Sequence, residues 1–323
     1  MPQRDSFTLF NSGSIALYPR YAIGVWMKKL RVGTRKSKLA LVQTETVIAE
    51  LKSLRPDLEF EIVPLSTLGD RIQSVALTHF GGKGAFVAEL EEAMLKGDID
   101  LAVHSAKDLP LSFPKGLDII GVSKREDPRD VLVTRAGEAL KEKAVIGTGS
   151  PRRKLQLEAD TSYVARELRG NVNTRLGKLS AGEYEGLLLA AAGLKRLQAD
   201  NLSEYDFKYL EPESFIPAAG QGIIAVEGRT EQALCDLLGS WSDKEAREAF
   251  EAEREVIKLL GADCTTPLGV YAEIEKENMT IHAIFGNGEK AIRVKRAGLS
   301  KDRIILAGEV TDELKRAILI QPE

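Results

Sequence analysis

The sequence predicts an α/β protein that ends in a smaller α+β domain. Between residues 29 and 197, short apolar segments alternate with segments of helical periodicity, which is the pattern of parallel sheets covered by helices. Beyond residue 240, one long amphipathic segment precedes short alternating segments and polar turns, which favours an α+β domain of roughly 80 residues. A chain of 323 residues is long enough for two or three domains.

Seven strands and five helices are predicted in the α/β part. The strands are residues 30–32, 60–65, 99–103, 117–122, 131–133, 144–147 and 187–189. Ser37 can cap the first helix, and Ser150 with Pro151 forms an N-cap and first-turn pair for a later one. The other helices are residues 86–96, which stop at Gly97, then 173–179 and 190–197.

The C-terminal part begins with a long amphipathic helix over residues 243–260. Three strands follow, at residues 268–274, 279–285 and 292–294. Residues 303–305 can add another strand, and a helix over residues 311–320 closes the domain.

Composition excludes several functional classes. The longest apolar run, residues 187–194, is too short to cross a bilayer, and a net charge of −3 gives no global signature of nucleic-acid binding. Two Cys and three scattered His suggest neither a disulfide scaffold nor a zinc site, so we expect a reducing compartment and no metal. Residues 148–196 nevertheless contain nine Lys or Arg against five Asp or Glu, so one region is basic within an acidic chain.

Residues 1–26 do not share this pattern, and Met27 opens a segment that reads as a natural first strand. We interpret residues 1–26 as an upstream in-frame start or an added leader. A transit peptide is the alternative, although the expected density of Arg and Ser is lacking.

Three loops place anion-binding chemistry between a strand and a helix. They are residues 33–37, 147–153 and 169–175, and each combines Gly, Arg and a hydroxyl or amide side chain. In open α/β sheets such loops meet at the carboxyl ends of the strands, where helix N-termini and Arg favour anions. The three together predict a multiply anionic ligand; carboxylate and phosphate remain open, and the spacing of a P-loop is absent.

Asp108 lies in a polar stretch that follows an apolar strand, so we expect it at the same edge of the sheet. It can transfer a proton or stabilise a developing cation, or it can simply cap the turn before Pro110. His104 reads more simply as a core residue than as a ligand.

Two further segments admit a functional or a plain interpretation. Residues 81–84 with Phe86 are either a surface turn or a basic lid that uses Lys83. Cys264 lies in a loop and is a better candidate for a reactive thiol than Cys235, which has apolar helical neighbours.

Together these stretches resemble the hydroxymethylbilane synthase (porphobilinogen deaminase) family over about residues 30–271. The resemblance is carried by nine motifs in family order, namely RVGTRKSKLALVQ, GGKGAF, VHSAKDLP, KREDPRDVLV, GTGSPRR, LRGNVNTRL, GEYEGLLLAAAGLKR, IPAAGQG and ADCTTPLGVYAE.

The resemblance implies two lobes like type II periplasmic binding proteins around a cleft, plus a small α+β domain that presents a Cys. Residues 1–28 would then be a leader without order, residues 29–123 with 222–240 domain 1, residues 124–221 domain 2, and residues 241–323 domain 3. It also implies a deaminating transferase of tetrapyrrole (porphyrin, heme) biosynthesis that joins four porphobilinogen molecules into hydroxymethylbilane on a dipyrromethane cofactor bound covalently through Cys264.

The resemblance also assigns roles by motif. Asp108 would be catalytic. The substrate would be held by Arg35, Ser37, Arg169 and Arg196, and the cofactor by Lys107, Ser150, Arg152, Arg153 and Arg175. The cleft or its lid would include Gln43, Lys83 and Phe86. The partners would be porphobilinogen and the growing linear polypyrrole, without nucleic acid, membrane or metal, and we expect a cytoplasmic monomer; a plastid location would require residues 1–26 to be a transit peptide.

The chain departs from the family at several positions. Pro151, His79 and Leu68 stand where Leu, Lys and a basic residue are common, and Asp263 precedes Cys264 where Gly is usual. Asp263 should slightly disfavour the Cys264 thiolate. Two other classes stay open from the residues alone: a non-catalytic solute-binding protein, and a transferase or deaminase that acts on another polyanion.

Overall fold

The computed structural model describes residues 29–66, 87–263, 265–286 and 291–319. The predicted leader, the lid residues Lys83 and Phe86, and Cys264 lie outside these ranges, as do His79 and Leu68.

Thirteen strands lie within the described ranges. They are β1 (Lys29–Arg35), β2 (Glu59–Leu65), β3 (Leu101–Ser105), β4 (Leu117–Val122), β5 (Asp130–Arg135), β6 (Val145–Gly147), β7 (Val164–Arg166), β8 (Gly186–Ala190), β9 (Tyr205–Leu210), β10 (Ile224–Arg229), β11 (Leu268–Glu275), β12 (Asn278–Gly286) and β13 (Ala291–Leu299).

Eight α-helices lie within the same ranges. They are α1 (Lys38–Leu54), α2 (Ala88–Lys96), α3 (Pro151–Asp160), α4 (Val172–Ser180), α5 (Ala191–Arg196), α6 (Gln232–Trp241), α7 (Lys244–Leu260) and α8 (Arg303–Leu319). None of these helices is long and apolar enough to cross a membrane.

Lobe 1 is built on a five-stranded sheet with the order β2-β1-β3-β10-β4. β1 is parallel to β2 and β3, whereas β10 is antiparallel to both of its neighbours. On one face, α1 and α6 bury apolar residues such as Leu51 and Leu238 against Leu30 and Val226 of the sheet. The helical spacing of these residues explains the choice of face, and each fully buried leucine contributes roughly 1.5–3 kcal/mol.

Lobe 2 repeats this arrangement with the order β7-β6-β8-β5-β9. β6 is parallel to β7 and β8, and β5 is antiparallel to β8 and β9. The chain passes between the lobes twice, through residues 123–129 and 211–223, which we call the crossing segments.

Domain 3 packs α7 and α8 against the antiparallel sheet β11-β12-β13. Asp243 caps α7 by accepting from Ala246 N, and α7 ends at Gly261, whose φ of 63° suits glycine. Two α/β lobes with a smaller α+β domain confirm the predicted fold class.

Two sequence predictions were wrong. The sheets of the lobes are mixed rather than parallel, because β5 and β10 run against their neighbours. Residues 303–305 open α8 instead of forming a strand. Ile305 is 66% exposed while Leu306 and Val310 are buried, so the apolar run follows helical spacing, and a short apolar run cannot by itself distinguish the two structures.

Candidate functional site

The end of β3 carries the predicted catalytic residue. β3 stops at Ser105, and a single 3₁₀ turn, Ala106–Asp108, presents Lys107 and Asp108. Gln43 of α1 is buried beneath this turn, and its Nε2 donates to Ser105 Oγ over 3.0 Å. The strand, the turn and α1 therefore hold the two charged residues at the edge of lobe 1.

The start of α3 forms the facing part of lobe 2. Ser150 Oγ accepts a hydrogen bond from Arg153 N over 3.4 Å, and Pro151 occupies the first turn, as the sequence predicts. Ser150 is therefore occupied as an N-cap. Gly149 passes close to the backbone, since a Cβ there would lie 2.9 Å from Leu168 O.

Arg152 and Arg153 are buried, at 4% and 6% exposure, and both bind Asp130. Asp130 accepts from Arg152 Nη1 over 2.6 Å and from Arg153 Nη2 over 2.7 Å. Arg152 also donates to Ile216 O, and Arg153 to Leu188 O. The predicted cofactor-binding pair is thus already held by contacts within the protein.

Lys107 approaches this pair from lobe 1. Its Nζ donates to Gln221 Oε1 over 3.4 Å, and Gln221 Nε2 donates to Asp130 Oδ1 over 3.1 Å. Lys107 keeps accessible surface, yet protein atoms crowd its ammonium, and this desolvation together with the charge of Arg153 lowers the pKa of Lys107 to about 8. The cations of the two lobes therefore repel one another.

Arg175 belongs to the same cluster. It lies on α4, which Asn171 caps, and its Nε donates to Gly170 O over 2.7 Å. Desolvation, with the charges of Arg153 and Arg169, lowers the pKa of Arg175 to about 10. The negative charge of Asp108 raises the pKa values of Lys107 and Arg175, against the other effects. Its carboxylate therefore lies within electrostatic reach of both cations.

The predicted substrate-binding residues occupy the other loops. Arg35 is the last residue of β1, and Ser37 Oγ caps α1 by accepting from Ala40 N over 3.3 Å. Arg169 Nε donates to Glu167 Oε1 over 2.7 Å.

Arg196 ends α5 and reaches a crossing segment, where its Nη2 donates to Gly222 O over 2.7 Å. Burial lowers the pKa of Arg196. α5 also meets α1 of lobe 1, because Leu39 Cδ2 would lie 3.7 Å from a Cβ at Gly193. Helix α5, which ends at the predicted substrate-binding residue Arg196, is therefore in direct contact with α1 of the other lobe.

Two candidates remain, His104 and the loop that contains Cys264. His104 is buried beside Glu227, with 3.1 Å between Nε2 and Oε2, which agrees with the simpler interpretation of a core residue. Beside Cys264, Asp263 Oδ1 accepts hydrogen bonds from Thr265 N, Thr265 Oγ1 and Thr266 Oγ1. Those bonds lower the pKa of Asp263.

The structure brings Lys107, Asp108, Arg152, Arg153 and Arg175 into one electrostatic neighbourhood. The positions of Lys83, Phe86 and Cys264 relative to that neighbourhood stay predictions. Sequence reasoning missed Asp130 and Gln221, although both lie within quoted motifs. The available signal was an acid directly before the buried run Val131–Val133, since a buried acid requires a partner.

Comparison with known proteins gives consistent matches. Residues 30–236 match the family model "Porphobilinogen deaminase, dipyromethane cofactor binding domain", and residues 248–316 match "Porphobilinogen deaminase, C-terminal domain". The porphobilinogen deaminase of Streptococcus sanguinis is 42% identical over 264 residues, which is 80% of this chain and 86% of that protein. The enzyme of Ruminiclostridium cellulolyticum is 40% identical over 262 residues, or 81% and 88% of the two chains.

Among solved structures, the chain is similar to a probable amino-acid ABC transporter extracellular-binding protein of Bacillus subtilis. The TM-score is 0.40 at 10% identity, covering 67% of this chain and 90% of that one. This likeness is weak, and the fold class rests on the strand order of the sheets.

Proposed function

This chain belongs to the porphobilinogen deaminase family, and from that premise we propose that it joins four porphobilinogen molecules head to tail into hydroxymethylbilane and releases ammonia. In each condensation the bond between the aminomethyl carbon and nitrogen breaks, and ammonia leaves. A carbon–carbon bond forms between that methylene and a free pyrrole α-carbon, whose proton must then be removed. The reaction therefore needs a base, stabilisation of positive charge, and sites for the carboxylates of the substrate.

The observation that carries the proposal is the excess positive charge around Asp108. Lys107 comes from lobe 1, and Arg153 and Arg175 come from lobe 2; desolvation, followed by the charge of Arg153, lowers the pKa of Lys107 to about 8 and that of Arg175 to about 10. Such a cluster is costly in the absence of an anionic ligand. Porphobilinogen carries an acetate and a propionate, so each added ring supplies two carboxylates.

We assign the acid–base role to Asp108. It is the carboxylate that the turn after β3 presents beside Lys107, and it lies within reach of Arg175. A carboxylate there can remove the α-carbon proton, return a proton to the departing nitrogen, and stabilise positive charge on a pyrrole. General acid–base help of this kind is worth about 10²–10⁴-fold in rate.

The residues present fit the dipyrromethane cofactor of the family. The group carries several carboxylates, and Lys107, Arg152, Arg153 and Arg175 form a donor set with more positive charge than Asp130 alone can balance. When bound, this group supplies the anchored pyrrole on which the product chain grows. We propose that Cys264 carries it through a thioether, and that Arg35, Ser37, Arg169 and Arg196 hold incoming substrate.

The direct test is to incubate the purified protein with porphobilinogen and to measure uroporphyrin after treatment with acid and air. Intact mass should show a covalent adduct that disappears in Cys264→Ser. An unmodified and fully active protein would contradict the covalent cofactor. An absence of pigment from protein that carries the adduct would favour a binding protein or another polyanionic substrate.

Asp108→Asn tests the carboxylate itself. We expect the fold and the adduct to be retained while turnover falls by roughly 10²–10⁴-fold. Asp236→Asn, an exposed acid on α6, is the matched control and should turn over normally. Normal turnover in Asp108→Asn would show that another residue serves as the acid–base group. The monomeric state and the cytoplasmic location stay predictions.

A further inference from the structure

Asp130 is a fully buried carboxylate that accepts hydrogen bonds on both oxygens. Its Oδ2 accepts from Arg152 Nη1, and its Oδ1 accepts from Arg153 Nη2, Arg153 Nε and Gln221 Nε2, over 2.6, 2.7, 3.0 and 3.1 Å respectively. Oδ1 thus accepts three bonds and Oδ2 one, all from buried protein groups. Because Asp130 is 0% exposed and ion-paired with both arginines, substrate does not reach it, and it is not a second acid–base group.

The charges of this cluster are fixed. Although burial favours the neutral acid, Arg152 and Arg153 hold the pKa of Asp130 well below its usual range. One permanent anion thus faces two permanent cations, and one positive charge remains. Arg152 Nε is also buried without a hydrogen-bond partner in the described part of the chain, so the pair keeps a donor that internal contacts do not use.

The position of Asp130 is set by the sheet. It opens β5, where it lies opposite Ala190 of β8 and Leu210 of β9. The arginine side chains donate their other described bonds to Leu188 O of β8 and to Ile216 O of the second crossing segment. The pair is therefore held where the start of β5 and the second crossing segment meet.

Asp130 is also connected to lobe 1. Gln221 lies on the second crossing segment and is 1% exposed. Its Nε2 donates to Pro128 O on the first crossing segment as well as to Asp130, while its Oε1 accepts from Lys107. Asp130 is therefore connected to Lys107 through one side chain, that of Gln221, so a displacement of Asp130 would alter the contact of Lys107 as well.

We propose that Asp130 is a positioning residue: the internal counter-ion that holds Arg152 and Arg153 in their ligand-binding geometry before any cofactor carboxylate arrives. This inference rests on the proposed function, because it assumes that the arginine pair receives those carboxylates. Arginines that Asp130 already holds in place do not have to be ordered when the cofactor binds. The free-energy cost of binding the cofactor is therefore lower.

The experiment uses apo-protein from cells that cannot make porphobilinogen. Loading, by which we mean the gain of the covalent dipyrromethane adduct, is followed by intact mass after porphobilinogen is added at a series of salt concentrations. We expect Asp130→Asn to load roughly 10- to 100-fold more slowly than the wild type, the range typical of a residue that orients a ligand-binding group. We also expect its loading rate to fall more steeply with salt, because it has one more uncompensated cation. A purely structural defect would not change the salt dependence.

Asp57→Asn is the matched control, since Asp57 is exposed and pairs with Arg55 just after the end of α1. If Asp130→Asn does not fold, the double variant Asp130→Asn, Arg153→Gln restores the net charge of the pair while the geometry stays lost. We expect that variant to fold but still to load slowly. Loading at the wild-type rate and salt dependence, in either variant, would overturn the role of Asp130. If the wild type itself gains no adduct, the proposed function fails instead.

Discussion

Glu253 offers a prediction whose size follows from its contacts. It is fully buried on α7 and joins three parts of the chain: its carboxylate accepts from Arg125 Nη2 over 2.7 Å, from Gly220 N over 2.6 Å and from Ala272 N over 2.8 Å. Burial raises the pKa of Glu253, and Arg125 opposes that shift. Burying this ion pair therefore has a desolvation cost. Removing only one of its two partners destabilises the fold further, because the other charge stays buried without a counter-ion.

Glu253→Gln keeps the volume but leaves Arg125 without a counter-ion. It also points amide N–H groups toward backbone donors. The cost of breaking one half of a buried pair is about 3–5 kcal/mol. Glu251→Gln is the matched control on the same helix, because Glu251 is 38% exposed and its pair with Arg303 is worth about 0–1 kcal/mol.

The assay is thermal unfolding, recorded in parallel by circular dichroism and by tryptophan fluorescence because multidomain proteins need not unfold in one step. With about 2–4 °C per kcal/mol, Glu253→Gln should lower the midpoint by about 6–20 °C, and Glu251→Gln by no more than about 4 °C. Equal midpoints for the two variants would refute the assignment of Glu253 as the junction that holds domain 3 to the crossing segments.

Two further predictions concern the cleft and a crossing segment. The rate at which apo-protein gains the cofactor should fall by up to about tenfold per pH unit above about pH 8, because the Lys107 ammonium loses its proton there. The free energy of unfolding should rise from pH 8 towards 10.5, because the native state releases this proton at a lower pH than the unfolded state does. Lys107→Arg should remove both effects in rate and denaturation series from pH 7 to 10. Gly222→Ala should lower the thermal midpoint, because φ is 92° and the new Cβ would lie 2.2 Å from Glu126 O. In Gly239→Ala, within α6, the new Cβ meets no atom within 4 Å, so this variant should stabilise the fold by about 0.5–1 kcal/mol. A higher thermal midpoint for Gly222→Ala than for Gly239→Ala would contradict this geometry.

Local signals in the sequence were sufficient for many elements. Ser37 and Ser150 cap the helices predicted for them, and Gly97 ends α2 in a left-handed conformation with φ of 76°. Capping depends on a few neighbouring residues and is therefore readable along the chain. Strand direction depends on partners far away, so the antiparallel course of β10 beside β3 was not predictable from its own residues.

The candidate site shows the same division. Strand-end loops predicted where the basic residues gather, and the turn Ala106–Asp108 lies where the motif required it. The sequence could not show that Arg152 and Arg153 already bind Asp130, which lies 22 and 23 residues away. That pairing depends on how β5 and α3 meet in three dimensions, and no local spacing encodes it.

The position of β10 has a consequence for the synthesis of this protein. β10 lies between β3 and β4, yet it follows the whole of lobe 2 in the chain. A ribosome that makes roughly 5–20 residues per second needs about 5–20 s to travel from the end of β4 to the end of β10. Throughout that interval β3 and β4 lack their shared neighbour, so each presents an unpaired edge to other nascent chains. Lobe 2 is continuous and can fold first, and lobe 1, although it is translated first, is completed second.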